Sequence, residues 1–129
     1  MTWSVKSSPS LGIIEEVFSG LVTALELREA TSKRISLQKE TGITKILNDV
    51  SEIELEATIM DVFAFPNKQY PEEGADRKTC MALIMPKCNK AKEVAEFFIT
   101  ASLNRGWVVK DFKERQSAID WLQGKTTFK

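Results

Sequence analysis

Apolar and polar residues alternate over Trp3-Ser4-Val5-Lys6, and a second run, Leu11 to Phe18, follows the turn residues Ser8-Pro9-Ser10. Two short runs around such a turn predict a β-hairpin, with Gly20 ending its second strand. The spacing then changes. Thr23 stands three residues before Glu26, the spacing of a capping box, and a helix is predicted from about Ala24 to Glu40 on a thin stripe of Ala24, Leu27, Thr31 and Ile35. Gly42 is its expected stop. Ile43 to Val50 reads as a third strand. Ser51 and Glu54 repeat the capping-box spacing, and Leu55, Ile59, Val62 and Phe63 fall at helical intervals, so a second helix is predicted to run until Pro66 halts it at or before Phe65. Asn67 to Lys78 is polar, holds Pro71 and Gly74, and reads as one long irregular stretch. Cys80 to Met85 is apolar at both parities, the mark of a strand covered on both faces. Asn89 is the expected cap of a third helix, Lys90 to about Asn104. Trp107 to Phe112 is the fifth strand, and Lys113 to Gln123 the last helix, with Lys125 to Lys129 expected as a frayed tail.

The predicted order is therefore β-β-α-β-α-β-α-β-α. Strands separated by helices pair in parallel through right-handed crossovers, and the opening hairpin adds one antiparallel edge strand. Residues 1–129 are expected to form a single domain, since 129 residues fall in the range of about 100–200 for one domain. A chain of this size buries about two-thirds of its extended surface, enough for one core.

Charge and composition then narrow the chemistry. Eighteen Lys and Arg balance eighteen Asp and Glu, and the chain has no histidine. The missing imidazole removes Ser-His-Asp and Cys-His nucleophile pairs, histidine base catalysis and the common zinc and iron sites. Net neutrality without a basic run argues against nucleic acid as a partner. The apolar stretches are shorter than the roughly 20 residues of a membrane span, so no stable membrane insertion is expected. Met1 to Lys6 lacks the charged-then-apolar pattern of a signal peptide. Two cysteines, Cys80 and Cys88, are too few for a disulfide framework, which points to a cytoplasmic protein with reduced thiols and no metal or other cofactor. Cys80, inside an apolar strand, reads as a core thiol; Cys88, near Lys87, Lys90 and Lys92, reads as a surface thiol or a reactive one.

Several segments carry a resemblance to a known family. They are Phe18-Ser19-Gly20-Leu21-Val22-Thr23, Ile46-Leu47-Asn48-Asp49-Val50, Ala82-Leu83-Ile84-Met85-Pro86, Phe98 through Asn104-Arg105-Gly106-Trp107, Val109-Lys110-Asp111-Phe112, and Ala118-Ile119-Asp120-Trp121-Leu122. From about Val5 to Leu122 the chain resembles the SpoIIAA-like family of small bacterial domains. That family is related to STAS (anti-sigma-factor antagonist) domains and more remotely to CRAL-TRIO lipid carriers. The resemblance implies an α/β fold, a βα superhelix with a mixed five-stranded sheet, mostly parallel, and four helices. It also implies a binding or regulatory module without catalysis. STAS switch domains carry a phosphorylatable serine after the third strand, in an Asp-Ser-Ser-Gly-Leu-like setting at a helix start. Here the segment is Asp49-Val50-Ser51-Glu52-Ile53, without the Ser-Gly pair and with Glu52 and Glu54 following. Those carboxylates repel a phosphate, so Ser51 reads first as a helix cap and second as a phosphosite.

Other candidates for ligand or partner binding sit where open α/β sheets gather ligands, at strand C-termini. Asn48 and Asp49 end the third strand and Asp111 the fifth. Each either closes a backbone hydrogen bond or faces a ligand, and Asp49 with Asp111 is a candidate pair for acid–base work or for holding a divalent ion. Phe65 and Tyr70 flank the long loop and are the expected exposed aromatics, with Tyr70 as a gate to a cleft. Arg105 either complements the helix dipole or meets an anion. The leading expectation is a non-enzymatic regulatory or protein-interaction domain, acting on an unknown protein partner and forming a homodimer. The alternative is a binder of a small hydrophobic ligand or lipid head group. An enzyme working through carboxylates and Lys45 or Lys110 is the third reading.

Overall fold

The architecture comes from a computed structural model, which describes residues 2–125; of the tail expected to fray, 126–129 lie outside the described residues. Strands β1 (Trp3–Ser8), β2 (Ile13–Val22), β3 (Lys45–Leu55), β4 (Cys80–Ile84) and β5 (Val108–Phe112) form one sheet in chain order. β1 pairs antiparallel with β2, and every other neighbour pairs in parallel. Helix α1 (Ala24–Thr41) links β2 to β3. A continuous helical body over 59–72 links β3 to β4: α2 (Ile59–Ala64), a π turn (Phe65–Gln69) and the single turn α3 (Tyr70–Glu72). Helix α4 (Asn89–Asn104) links β4 to β5, and α5 (Arg115–Leu122) follows. Four helical bodies and a mixed five-stranded sheet are thus present among the described residues, as expected.

A sheet wound in chain order by right-handed crossovers must carry its crossover helices on one face. The core divides accordingly. Twenty buried residues, from Ile14 and Ile46 on the strands to Leu27, Val62 and Phe98 on α1, α2 and α4, fill the front face, whereas seven, including Ile13, Leu47, Ala118 and Leu122, lie under α5 on the back. Burial of each large apolar side chain contributes about 1.5–3 kcal/mol, so most of the hydrophobic stabilisation sits in front. Consecutive apolar pairs, Ile13-Ile14 and Ile46-Leu47, are fully buried because each serves a different face.

α1 begins as predicted: Glu26 N donates to Thr23 Oγ1 (3.2 Å) and Thr23 N to Glu26 Oε1 (2.9 Å). It ends at Gly42, whose φ of 76° is the left-handed cap conformation. β3 departs from prediction. Val17 aligns with Asp49 but Ser19 with Glu52, so β3 holds one residue more than β2 across this step, a bulge. The bulge flips the parity: Ile46 and Val50 face front before it, Ile53 and Leu55 after it. Apolar residues three apart then mimic a helical period, which is why Ser51 to Glu54 reads as a helix start. The strand instead continues to Leu55, and the capping box belongs to Thr58 and Asp61 (Asp61 N to Thr58 Oγ1, 3.3 Å; Thr58 N to Asp61 Oδ2, 2.8 Å). Nor does Pro66 stop the following helix. The π turn widens the backbone at the point where proline has no N–H to give, and Tyr70 N–H donates to Phe65 O, re-entering an α turn. The predicted long loop from Asn67 shortens by six residues as a result. α4 starts after Cys88, not Asn89. No helix among the described residues is long and apolar enough to cross a membrane.

Candidate functional site

A cavity of about 70 Å³ lies between the front face of the sheet and helices α1, α2 and α4, over the C-terminal halves of β2, β3 and β4. An engineered apolar cavity of about 150 Å³ holds benzene, so this one suits a guest of a few heavy atoms. Its outer wall is apolar, built by Phe18, Val50, Ile53, Val62 and Phe98. Toward the middle of the sheet the lining turns polar: Glu16, Arg34, Asn48 and Tyr70.

Two periodicities bring these charges together. On β2, Glu16 shares parity with Ile14 and Phe18, both in the front core, and so must point the same way. On α1, Arg34 lies on the stripe of Leu27, Ala30, Thr31 and Gln38, every one buried. Glu16 is 1% exposed and Arg34 2%. Arg34 Nε lies 3.4 Å from Glu16 Oε1, a charge contact without hydrogen-bond geometry. Two of its other N–H groups are spent elsewhere, on Gln38 Oε1 (3.0 Å) and Tyr70 Oη (3.3 Å), and the guanidinium lies 5.2 Å from the Tyr70 ring centre. Gln38 Nε2 passes the chain on to Thr79 Oγ1 (3.0 Å). Burial holds the Glu16 carboxyl above the usual carboxylate range, outweighing the opposing pull of Arg34. Burial likewise pushes the Tyr70 phenol up.

Tyr70 in turn packs edge-on against Trp107, 5.2 Å between ring centres. Trp107 Nε1 donates to Pro66 O (3.1 Å), which ties β5 to the π turn. The outer face of Trp107 is capped by Arg77, 3.9 Å above the ring, with Arg77 Nη2 donating to Arg105 O (2.7 Å).

No family model matches the chain, and no curated protein matches it. Among solved structures it is similar to the crystal structure of an uncharacterized protein of the DUF3478 family from Shewanella loihica PV-4, described as having a SpoIIAA-like fold. The likeness covers 93% of this chain and 91% of that one, with a TM-score of 0.58 and 16% identity. The fold is SpoIIAA-like. At that identity the likeness speaks to the fold and not to what the domain does.

Within the SpoIIAA-like frame the sequence candidates separate. Asn48 lines the cavity. Asp49 is on the opposite face of the sheet, half-buried, and its Oδ1 accepts from Ser51 N (3.0 Å) and Ser51 Oγ (2.7 Å). Asp111 aligns with Leu83, a front-face residue, while Asp49 aligns with Ile84 on the back. The two carboxylates therefore stand on opposite faces and form no acid–base pair. Ser51 sits inside β3, so it caps no helix, and a phosphate on it would meet no helix N-terminal amides. Phe65 and Tyr70 are not exposed aromatics: they are 6% and 5% exposed, because the π turn folds both rings inward onto Phe98 and Trp107. Tyr70 closes the polar end of the cavity from within. Arg105 is exposed at the end of α4, lies outside the cavity lining and offers its carbonyl to Arg77. Cys80 is half-buried and Cys88 exposed. Glu16, Arg34 and Gln38 are not among the residues the sequence pattern singles out. Their signal was present, as a charge on a core parity in β2 and two polar residues on the apolar stripe of α1.

Proposed function

We propose that this SpoIIAA-like domain is a binding module whose front cavity takes one small molecule with an apolar body, held without covalent chemistry. The observation that carries the reading is a buried charged cluster placed against an apolar cavity. At 3.4 Å two opposite charges attract by about 5 kcal/mol at an effective dielectric of about 20. Desolvation costs several kcal/mol for each ion. The pair is close to break-even, and a core that wanted only stability would be as well served by apolar residues. Charge kept at that level on the wall of a pocket supports a role in recognition. The expectation of a serine-switched regulator loses its physical basis with the helix start it assumed.

Native mass spectrometry of the protein as purified, with methyl NMR titration by 1-chloropropane, tests the reading. Shifts confined to Val50, Val62 and Leu83, and weakened about tenfold by Ala95→Leu, are expected. Shifts scattered over the surface, or no saturable binding, would refute it.

A partner surface is the second reading, favoured by Leu21, Leu25, Ile59 and Met60, all exposed. They leave the sheet at the same end, where Val22 aligns with Leu55. Self-association that Met60→Glu abolishes would support it; a monomer at all concentrations by sedimentation would count against a second copy as the partner.

A further inference from the structure

Two acceptors on the cavity wall take no hydrogen bond from the described residues. Glu16 Oε1 is one: Arg34 Nε lies 3.4 Å away without hydrogen-bond geometry. Asn48 Oδ1 accepts none either, and its Nδ2 is turned to Met81 Sδ at 3.7 Å. These two residues are direct register partners across β2 and β3. Their side chains therefore stand side by side on the front face, about 5 Å apart, and both line the cavity. A buried acceptor without a protein donor must take one from water or a guest, or bear its desolvation cost, and natural cores contain few that do neither. Two adjacent ones on the wall of a cavity form a receptor for a donor from outside the chain.

The charge balance narrows that donor. Arg34 already offsets Glu16, so a cationic guest gains little from the carboxylate and is repelled by the guanidinium. An anionic guest would set a third acceptor against two that lack donors. We propose that the cavity selects a neutral hydrogen-bond donor, a hydroxyl or an N–H, on an apolar body of three or four heavy atoms, its hydrogen received by Glu16 Oε1 and Asn48 Oδ1. This rests on the ligand-binding reading above and names the polar end of the ligand.

Four probes of matched length test it: 1-propanol, 1-chloropropane, propionate and propylammonium, each titrated into the full chain and followed by the methyl signals of Val50 and Val62 and the side-chain amide of Asn48. Propanol is expected to bind about tenfold tighter than each of the other three, the worth of satisfying one orphan acceptor. Asn48→Leu, at a half-buried position, should erase that preference while 1-chloropropane still binds. Glu16→Gln, if it folds, should reduce it. Equal affinities across the series, or a propanol preference unchanged in Asn48→Leu, would overturn the donor inference and leave the binding reading standing. No binding by any of the four would overturn both.

Discussion

Arg34→Met is the substitution that asks most of the charged cluster. Methionine fills much of the same volume, so the variant isolates the charge. The intact pair is near break-even, but removing one partner strands the other as an uncompensated buried ion, which costs about 3–5 kcal/mol. The variant also loses the bonds that Arg34 gives to Gln38 and Tyr70. For a domain of this length, with an unfolding entropy of about 2.1 cal/mol/K per residue, the melting temperature should fall by about 10–20 °C at neutral pH. The pH dependence has a defined sign. The Glu16 carboxyl is already held above its unfolded value by burial, and losing Arg34 removes the main influence pulling it down. The folded variant thus holds its proton to a higher pH than the unfolded chain, whose ordinary carboxylate titrates near 4.3. Its deficit is largest above the folded value and closes as the pH drops toward the unfolded one. Thermal melts by circular dichroism from about pH 8 to about pH 5 should show the gap to wild type narrowing. Glu16→Leu combined with Arg34→Met should recover most of the loss. A gap that stays constant with pH, or a double variant no better than the single one, would refute the reasoning.

Two further outcomes follow from the local structure. Thr58→Ala removes the capping box of α2 and should cost about 1 kcal/mol, more than Ser51→Ala, which loses a hydroxyl bond to Asp49 in a strand; denaturant titration measures both, and the reverse ranking would return the helix start to Ser51. Tyr70 is the chain's one tyrosine, so phenolate absorbance reports it alone. Because burial raises its folded value above the unfolded one near 10, stability should decline as the pH rises past that unfolded value, and the phenolate band should appear only with unfolding; a smooth titration of the folded protein near pH 10 would contradict the burial.

The order of strands and helices was legible because Cys80–Met85 is apolar at both parities, Ser8-Pro9-Ser10 marks a hairpin turn, and Thr23, Glu26 and Gly42 bracket the first helix. The site was less so. The bulge in β3 converts a period of two into apparent steps of three and four, and local spacing cannot distinguish that from a helix. Pro66 and Pro71 carry strong breaker signals; the π turn accommodates Pro66, whose carbonyl accepts from Trp107 Nε1 some forty residues on, and Pro71 falls in the first turn of α3, where its missing N–H costs little. Asn48 was singled out as a strand end; β3 runs on to Leu55, and Asn48 meets the cavity because its parity faces the front beside Leu83, near the end of β4. Glu16 and Arg34 required two elements to be superposed before either charge had a partner, and no window along the chain contains both.

β3 outruns its neighbour. Its pairing with β4 stops at Asp49, and beyond Ser51, whose carbonyl accepts from Lys87 N, the backbone of residues 52–55 is paired with β2 alone among the described residues, while Lys87 Nζ holds the Glu52 side chain. The segment that carries Ile53 and Leu55 is thus a two-stranded ribbon cantilevered from a five-stranded slab. A ribbon yields more readily than a sheet, so the outer wall of the cavity is its most compliant side. On the proposed binding reading, a guest is expected to enter by flexing this overhang, while the slab that sets the register of Glu16 and Asn48 holds.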